Sequence, residues 1–326
     1  MSDALHVLAP GLLTTVQDRG RSGWRHLGVP LAGALDPMAM ALANRLVGNH
    51  ADAALLELSL QGPRLQLLRS LRIALVGAAV QARFEGVELP DHRPIELPAG
   101  VLELGGMRTG ARAWLVIGGG IDVPSVLGSR STDLRGGFGG LNGRALQRGD
   151  RLALVAPPAL DCRQPRIARW WVEPDADLPV REGEPLAIRY RPGAHPRSLE
   201  LATHAWQIDA ASNRQGLRLH GPALPGDTAD GVSAPVAPGT IQLPADGQPI
   251  VLLADAQTVG GYTRLGHVIA ADLPRLAQCR PGEALRFVAC DAETAHASAC
   301  RSRTQLARMA LMIEMMIERD RKRASA

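Results

Sequence analysis

The chain has almost no lysine, although it has 36 basic residues among its 326. Lys322 is the single lysine, and it lies in the charged segment RDRKR. A Walker A loop, a Schiff-base enzyme and an attached biotin or lipoyl group each need a lysine in a defined setting. Lys322 fits none of these settings. ATP or biotin chemistry would therefore need a partner chain or a different kind of site.

Aromatic residues are also scarce, at 3% of the chain. The 46% of hydrophobic residues must therefore build cores from Leu, Val, Ile and Ala, and 326 residues suffice for two such cores. Proteins that stack bases on exposed aromatic rings are a poor match. The net charge is +4 and the arginines are dispersed among acids, so we expect no nucleic-acid partner.

Metal-ligand and disulfide patterns are missing from the sequence. Cys162, Cys279, Cys290 and Cys300 form no C-x-x-C pair, and the nine histidines show no zinc-ligand spacing. We therefore expect no metal.

Asp3 stands where a signal peptide would carry positive charge, and no apolar run approaches the ~20 residues of a membrane span. A cytoplasmic location without membrane contact is expected.

Short apolar runs bounded by Gly and Pro predict many β-strands. The clearest runs span residues 5–9, 54–60, 71–77 and 111–119. Their close spacing, with few helical patterns between them, favours a barrel or sandwich over a doubly wound sheet. One early helix is predicted, because Asp36 suits the N-cap, Pro37 the first turn and Gly48 the end.

The chain also shows signs of two lobes. Six prolines between residues 156 and 185 make a long helix or a ladder-paired strand improbable there, and Trp170 and Trp171 either pin this connector to one lobe or mark a partner surface. A strand ending in Pro-Gly opens each half, which suggests a faint repeat. The predicted divisions are 1–156 and 186–292 for the lobes, 157–185 for the connector and 293–326 for a C-terminal helix with a basic tail.

The C-terminal helix is predicted from apolar residues at helical spacing, among them Leu306, Ala310, Ile313 and Ile317. We expect it to pack across its own barrel. The methionines beside this face would alternatively suit a partner protein.

The segment 118–143 contains nine glycines among its 26 residues, with Arg130 and Arg135 embedded in it. Backbone N–H groups that lack a neighbouring Cβ can point at an anion, and a guanidinium adds a bidentate clamp. The same glycines also suit tight turns between short strands. Composition alone leaves both interpretations open.

Four polar segments interrupt the strand pattern. They are TTVQDRGR at 14–21, GALDPMAMALAN at 33–44, GSRSTDLRGGFGG at 128–140 and ADAQTVGGY at 254–262. In this order they resemble the biotin-dependent carboxyltransferase family, which includes the C subunit of 5-oxoprolinase, the KipA-like and allophanate hydrolase subunit 2-like proteins, and the carboxyltransferase domain of urea carboxylase. The resemblance runs from about Val7 to Val288 and leaves the C-terminal helix uncovered.

The resemblance implies a mainly β fold of two cyclophilin-like β-barrel subdomains with a few helices, followed by the C-terminal amphipathic helix. It also implies a component, similar to the C subunit, of an ATP-dependent 5-oxoprolinase, a hydrolase that converts 5-oxoproline to glutamate. The implied partners are a KipI-like protein, similar to the B subunit, and a LamB/YcsF-like protein, similar to the A subunit. ATP would act through this complex.

Two other functions stay open. The family also implies biotin-dependent carboxyl transfer to a small amide or urea-type substrate, with biotin on a separate carrier. A KipA-type protein would instead be a non-catalytic regulator that binds a KipI-like protein. Ala79 and Ala234 stand where the family usually has an acid, Ala256 where it has a larger residue and Val259 where it has threonine. These departures suggest a shifted substrate or no turnover.

The candidate residues suit a small carboxylate whose amide carbonyl becomes an oxyanion, because fixed N–H donors and a guanidinium stabilise that charge. Arg130, Arg135 and the backbone at Gly136 and Gly137 are the expected donors. Glutamine side chains would read an amide edge, and aspartates would accept protons or orient the arginines. For each aspartate, the alternative is a helix cap or a structural ion pair.

The glycine-rich segment and the stretch 257–262 are expected to meet across a groove. The candidate catalytic residues are Asp18, Asp36, Arg130 and Asp255. The candidate substrate-binding residues are Gln17, Ser129, Ser131, Thr132, Arg135, Gly136, Gly137, Arg214, Gln257, Thr258, Gly260, Gly261 and Tyr262.

Overall fold

The computed structural model describes residues 3–172, 183–225 and 232–325. It confirms a mainly β chain with few helices. The helices are α1 (Pro37–Leu46), α2 (Leu273–Ala277) and α3 (Ala292–Ser325), with 3-10 turns at Arg25–Leu27 and Pro196–Thr203. The described residues form two compact units: unit 1 contains 3–20, 32–172 and 305–325, and unit 2 contains 21–31, 183–225 and 232–304.

Unit 1 consists of antiparallel strands in two sheets. Its strands are β1 (Leu5–Ala9), β2 (Leu13–Gln17), β3 (Leu55–Ser59), β4 (Arg64–Leu67), β5 (Leu71–Gly77), β6 (Val80–Phe84), β7 (Val87–Glu88), β8 (Ile95–Leu97), β9 (Gly100–Met107), β10 (Arg112–Ile117), β11 (Ile121–Asp122), β12 (Arg151–Leu154) and β13 (Arg166–Ile167). One sheet has the order β11-β12-β1-β4-β9-β6-β7, and the other has the order β13-β8-β5-β10-β3-β2. The four apolar runs identified in the sequence form β1, β3, β5 and β10.

Both sheets contribute side chains to one hydrophobic core. Successive side chains of a strand point to opposite faces, so one strand can also serve a second cluster. In β5, Leu71, Ile73 and Leu75 join this core, whereas Ala74 and Val76 join a second cluster that contains residues of α1 and α3. β10 divides its side chains between the two clusters in the same way. The six-stranded sheet is therefore covered on both faces, which explains its continuous apolar runs.

Helix α1 begins where the sequence predicts. Asp36 Oδ1 accepts hydrogen bonds from Met38 N at 3.0 Å and Ala39 N at 2.9 Å, and Pro37 occupies the first helical position. Gly48 follows the helix end with a φ of +81°. The predicted N-cap role of Asp36 is confirmed.

The C-terminal helix α3 is confirmed, and its last part packs in unit 1. Ile313 is buried in the cluster formed with α1. The partly buried side chains of α3 packed there are Leu306, Met309, Met316 and Ile317. Leu311, Met312 and Met315 remain exposed.

Unit 2 contains a closed barrel. Its strands are β14 (Leu186–Pro192), β15 (Ala205–Ile208), β16 (Gly216–His220), β17 (Ala234–Pro235), β18 (Thr240–Leu243), β19 (Ile250–Leu252), β20 (Val259–Gly260), β21 (Thr263–Val268) and β22 (Ala284–Ala289). The barrel order is β14-β21-β18-β19-β16-β15-β22, with β14 and β22 parallel. β17 and β20 form a separate two-stranded ribbon, hereafter the ribbon.

One part of the connector prediction is wrong. Arg166–Ile167, immediately after Pro165, forms β13 and pairs with β8. Pairing is possible because two residues at a sheet edge avoid the ring and the missing donor of the proline. Residues 173–182 of the predicted connector lie outside the described residues.

The two adjacent tryptophans of the connector have different environments. Trp170 is 8% exposed, and its Nε1 donates to Asp320 Oδ2 at 2.8 Å. Trp171 is 59% exposed, with the Arg93 guanidinium 5.3 Å from its ring centroid. Trp170 therefore pins this part of the chain to unit 1.

Candidate functional site

Asp18, just after β2, is the centre of the first candidate site in unit 1. Its Oδ1 accepts hydrogen bonds from the hydroxyls of Ser129 and Ser131, both at 2.6 Å, and from Gly20 N at 2.8 Å. Its Oδ2 accepts from Arg130 N at 2.5 Å. These four donors are neutral, and Asp18 is only 8% exposed. Asp18, Ser129, Arg130 and Ser131 are hereafter the Asp18 cluster.

The Asp18 cluster brings together three of the four polar segments found in the sequence. The side chain of Asp18 binds the glycine-rich segment, and its carbonyl oxygen accepts from Ala34 N at 2.9 Å. Next to this contact, Gly33 has a φ of +86°, and a Cβ there would lie 2.9 Å from Arg19 C. Glycine is therefore required where the segment around residue 33 crosses the backbone after β2.

The contacts of Asp18 favour a positioning role. Both carboxylate oxygens are occupied by donors that hold the loop at residues 129–131 in place. A carboxylate whose two oxygens both hold donors from one loop fixes the position of that loop. Its predicted role as a proton acceptor stays a prediction, against which these contacts weigh.

Gln17 and Thr132 lie inside unit 1. Gln17 Nε2 donates to Thr15 Oγ1 at 3.0 Å and to Thr132 O at 3.3 Å, whereas its Oε1 has no hydrogen-bond partner within the described residues. Thr132 donates through both N and Oγ1 to Val16 O at 2.9 Å. The predicted amide-reading role of Gln17 therefore depends on one buried, unpaired oxygen.

The predicted anion-binding amides of Gly136 and Gly137 are engaged elsewhere. Asp133 Oδ1 accepts from Arg135 N at 3.1 Å and Gly136 N at 2.9 Å, and Asp133 O accepts from Gly137 N at 2.9 Å. The turn itself uses these two amides, and these contacts weigh against their predicted role in anion binding, which stays a prediction. The Arg135 side chain is exposed beside this turn.

Arg130 is anchored by one edge of its guanidinium. Its Nε donates to Val123 O at 3.0 Å, and its backbone N is fixed by Asp18. Within the described residues, neither Nη group of Arg130 has a hydrogen-bond partner, and the side chain is partly exposed. The geometry leaves the outer edge of the guanidinium available to a carboxylate or an oxyanion.

Asp36 differs from Asp18 because one of its oxygens remains open. Oδ1 caps α1, and Oδ2 has no hydrogen-bond partner within the described residues. Burial raises the pKa of Asp36 to about 6, against the opposing effect of the Ala39 and Met38 N–H groups, and the charge of Glu57 adds to the rise. A carboxyl that titrates near neutrality can both accept and donate a proton.

Glu57 is a buried acid that the sequence analysis missed. It is 1% exposed, and its Oε2 accepts from Leu35 N at 2.8 Å and Trp114 Nε1 at 3.0 Å. Arg112 Nε lies 3.7 Å from its Oε1. An acid within the apolar run LLELS of β3 is the signal that would have found it.

Arg214 and Asp255 form a buried bidentate ion pair in unit 2. Arg214 Nε lies 2.9 Å from Asp255 Oδ2, and Nη2 lies 2.9 Å from Oδ1. Their side chains are 3% and 4% exposed. Each charge neutralises the other, so these contacts favour a structural role over the predicted proton transfer by Asp255 and substrate binding by Arg214.

The remaining predicted residues lie at the ribbon of unit 2. They are Gln257, Thr258, Gly260, Gly261 and Tyr262. Ala234 pairs with Gly260, and Val236 N donates to Thr258 O at 3.0 Å. Arg25 Nη2 donates to Val236 O. Tyr262 is 52% exposed.

Gln257 contacts a second glutamine, Gln242, which the sequence analysis did not single out. Gln257 Nε2 lies 3.5 Å from Gln242 Oε1, at the long limit of a hydrogen bond. Gln257 is partly exposed and Gln242 is 1% exposed. The pair therefore joins a buried amide of the barrel to the ribbon.

The predicted site residues are distributed over both units, and the expected groove stays a prediction. Within residues 3–172, 183–225 and 232–325, no three His, Cys, Asp or Glu side chains are grouped as a metal ion would require. In the same part of the chain, none of the helices combines the length and the apolar character that crossing a bilayer requires.

The sequence matches the model of one protein family, described as the carboxyltransferase domain, subdomains A and B. The match covers residues 27–289. It includes the glycine-rich segment and the ribbon, and it ends before α3.

Individual relatives are similar over most of the chain. The C subunit of 5-oxoprolinase from Escherichia coli (strain K12) is 38% identical over 299 residues, which are 89% of this chain and 93% of that protein. The crystal structure of TTHA0988 is 37% identical with a TM-score of 0.77, and the match covers 88% of this chain and 55% of that chain. The structure of Kluyveromyces lactis urea carboxylase is 31% identical with a TM-score of 0.84, covering 95% of this chain and 29% of that chain. The chain thus spans nearly all of the first relative but only part of the two solved structures.

Proposed function

Because the chain belongs to the family of the carboxyltransferase domain, subdomains A and B, we propose that it corresponds to the C subunit of an ATP-dependent 5-oxoprolinase. In this proposal it acts with a KipI-like partner and a LamB/YcsF-like partner to hydrolyse 5-oxoproline to glutamate. The 38% identity to the C subunit of a 5-oxoprolinase, of which the chain covers 93%, supports this function over that of the longer urea enzymes.

The open oxygen and the raised pKa of Asp36 are the observation that carries the proposal. Lactam hydrolysis needs a group that takes a proton from the attacking nucleophile or gives one to the leaving nitrogen. Asp36 has an open Oδ2, and burial raises its pKa to about 6. Both protonation states are therefore populated near neutral pH, and we assign the proton transfer to Asp36.

Arg130 is assigned to the negative charge of the substrate. Its Nε bond to Val123 O fixes the plane of the guanidinium, so the Nη edge is already oriented when a carboxylate or oxyanion arrives. Asp18 holds the backbone of Arg130 and the flanking Ser129 and Ser131. Asp18 is therefore a positioning residue in this proposal.

The residues of this chain do not fit an attached biotin. Lys322 lies within α3, and its Nζ is paired with Glu318 Oε1 at 2.8 Å, whereas biotin is carried on a mobile lysine. Biotin would therefore need a separate carrier, and ATP would act through the partner proteins. The steps assigned to this chain are binding, orientation and proton transfer.

Reconstitution tests the proposed function. The full-length chain is combined with both partners, ATP and 5-oxoproline, and glutamate is measured. We expect turnover that Asp36→Asn lowers by about 100-fold or more. Below about pH 4, where Asp36 is also uncharged, the variant should show little change in Tm because asparagine also caps helices. Asp52→Asn, which changes an exposed acid paired with Arg19, is the matched control and should keep its activity. Absence of glutamate from the complete set would contradict the proposal.

Carboxyl transfer is the second candidate, and the TM-score of 0.84 with a urea carboxylase favours it. Its test supplies carboxybiotin on a separate carrier together with urea or a small amide. Transfer that depends on Arg130 would support this candidate. Absence of turnover by the wild-type chain in both assays, together with unchanged binding to a KipI-like protein after replacement of Arg130 and Arg135, would instead support the non-catalytic regulator.

A further inference from the structure

Gln242 in the barrel of unit 2 has a buried amide with an unused donor. It lies on β18 and is 1% exposed. Its Oε1 accepts the long contact from Gln257 Nε2 at 3.5 Å, whereas its own Nε2 has no hydrogen-bond partner within the described residues. Buried polar groups are nearly always paired, so an unused donor in a barrel wall indicates a partner that joins from outside the chain.

The backbone directs Gln242 towards the ribbon. In the pairing of β18 with β21, Ile241 lies opposite Gly266 but Gln242 lies opposite Arg264, so the register shifts between the two. Irregularities of this kind re-aim a side chain and are frequent next to binding sites. The register shift between Ile241 and Gln242 therefore sets the position of the Gln242 amide.

Gly260 of the ribbon leaves room for this amide. A Cβ at residue 260 would lie 2.6 Å from Gln242 Nε2, closer than non-bonded atoms approach. The φ of Gly260 is not in the left-handed region, so the backbone conformation does not require glycine there. The close approach comes from the end of the Gln242 side chain, which an alanine at residue 260 would have to displace.

The surroundings suit a neutral oxygen acceptor. Gln242, Gln257 and Thr258 are uncharged, and the arginines recorded at the ribbon donate to backbone carbonyls, Arg25 to Val236 O and Arg264 to Pro235 O. Gln242 Nε2 is a neutral amide donor, and within the described residues no charged side chain is hydrogen-bonded to it. The neutral carbonyl oxygen of an amide or lactam is therefore a matching acceptor.

We propose that Gln242 Nε2 donates a hydrogen bond to the carbonyl oxygen of a small lactam or amide. Gln242 is then a binding residue that reads the carbonyl group. The choice of a lactam rests on the proposed function. Ligand binding is measured without turnover, so the binding role of Gln242 and the proposed function can fail separately.

The experiment compares ligands that share a five-membered ring. 5-Oxoproline has a ring carbonyl and a carboxylate, 2-pyrrolidinone has the carbonyl without the carboxylate, and proline has the carboxylate and an ammonium group without the carbonyl. Their affinities for the full-length chain and for Gln242→Leu are measured by calorimetry and ligand-observed NMR. We expect the variant to bind both lactams about five- to tenfold more weakly, with no change for proline. Gln207→Leu, at an exposed position of β15, is the matched control and should bind like the wild type.

Two further observations separate recognition from a structural role. Gln242→Leu should keep or raise the Tm, because leucine fills a similar volume and removes the unpaired donor. Gly260→Ala leaves Gln242 unchanged but places a methyl group against Nε2. We expect it to weaken lactam binding as well.

Equal lactam affinities for the wild type and Gln242→Leu would overturn the inference, since an amide that holds only an ordered water gives that result. Absence of lactam binding to the wild-type chain at millimolar concentration would also overturn it. Weaker binding by the variant, together with no glutamate from the reconstituted complex, would keep the inference and remove the proposed function.

Discussion

The Asp18 cluster of unit 1 and the Arg214–Asp255 pair of unit 2 hold a buried aspartate in two different ways. Asp18 is surrounded by four neutral donors from serine hydroxyls and backbone amides. Asp255 accepts two hydrogen bonds of 2.9 Å from the guanidinium of Arg214. Removal of Asp18 leaves neutral groups that water can satisfy, whereas removal of Asp255 leaves a buried charge. The same residue type therefore carries different energetic consequences in the two units.

The largest effect is expected from Asp255→Ala. It removes the carboxylate that forms the bidentate pair with the Arg214 guanidinium, which is 3% exposed. We expect a loss of about 3–5 kcal/mol in the free energy of unfolding, measured by urea denaturation.

The matched control is the double variant Arg214→Leu/Asp255→Leu. Because both charges are removed together, it should recover most of the lost stability. A double variant as unstable as Asp255→Ala would show that packing, and not the unpaired charge, dominates at this position.

A smaller effect is expected from Asp18→Asn. The amide keeps one acceptor oxygen but places an NH2 group against donors such as Ser129 Oγ or Arg130 N. We expect a loss of about 2 kcal/mol in urea denaturation and faster hydrogen exchange at residues 129–131. A change below about 0.5 kcal/mol in the free energy of unfolding would mean that the donors rearrange freely. That result would contradict the positioning role of Asp18.

Asp36→Ala should cost about 1 kcal/mol, because α1 loses its N-cap. Asp36→Asn keeps an acceptor for Met38 N and Ala39 N and should change stability by a few tenths of a kcal/mol at most at low pH. Thermal unfolding of both variants measures the difference. Equal losses for alanine and asparagine at low pH would contradict the cap, because asparagine keeps an acceptor oxygen and alanine does not.

The smallest effect is expected from the Arg144–Asp150 pair of unit 1, which has the bidentate geometry of the Arg214–Asp255 pair but is 33% and 12% exposed. The hydrogen bond from Arg144 lowers the pKa of Asp150. The carboxylate therefore stabilises the folded state above the unfolded pKa of about 3.9, and this stabilisation is lost as pH falls through the lower folded value.

Asp150→Ala should accordingly cost no more than about 1 kcal/mol at pH 7. Urea denaturation at several pH values should show the difference from the wild type shrinking below about pH 4. A stability difference between the wild type and Asp150→Ala that grows as the pH falls would contradict the lowered pKa of Asp150.

Much of the fold could be predicted from the sequence because its signals are local. The apolar run at 71–77 coincides with β5, and the sequence Asp36-Pro37 begins α1 as capping chemistry requires. The short strand Arg166–Ile167 was missed because two residues carry no periodic signal.

The sequence allowed the types of residue at the candidate site to be predicted, but not which of them contact one another. The hydroxyl partners of Asp18 lie 111 and 113 residues away, and Arg214 lies 41 residues from Asp255. Nothing in a linear pattern assigns donors across such distances. Gln242 was missed because one amide in the strand TIQL resembles any other strand residue until its unpaired donor is located.

The most direct test of the account is the titration of the Asp36 carboxyl group by carbon-detected NMR in the full-length chain, with Asp36→Asn used to assign the resonance. The account predicts a midpoint near pH 6, because burial and the charge of Glu57 disfavour the ionised form. A midpoint near the ordinary value of about 4 would contradict the assignment of proton transfer to Asp36.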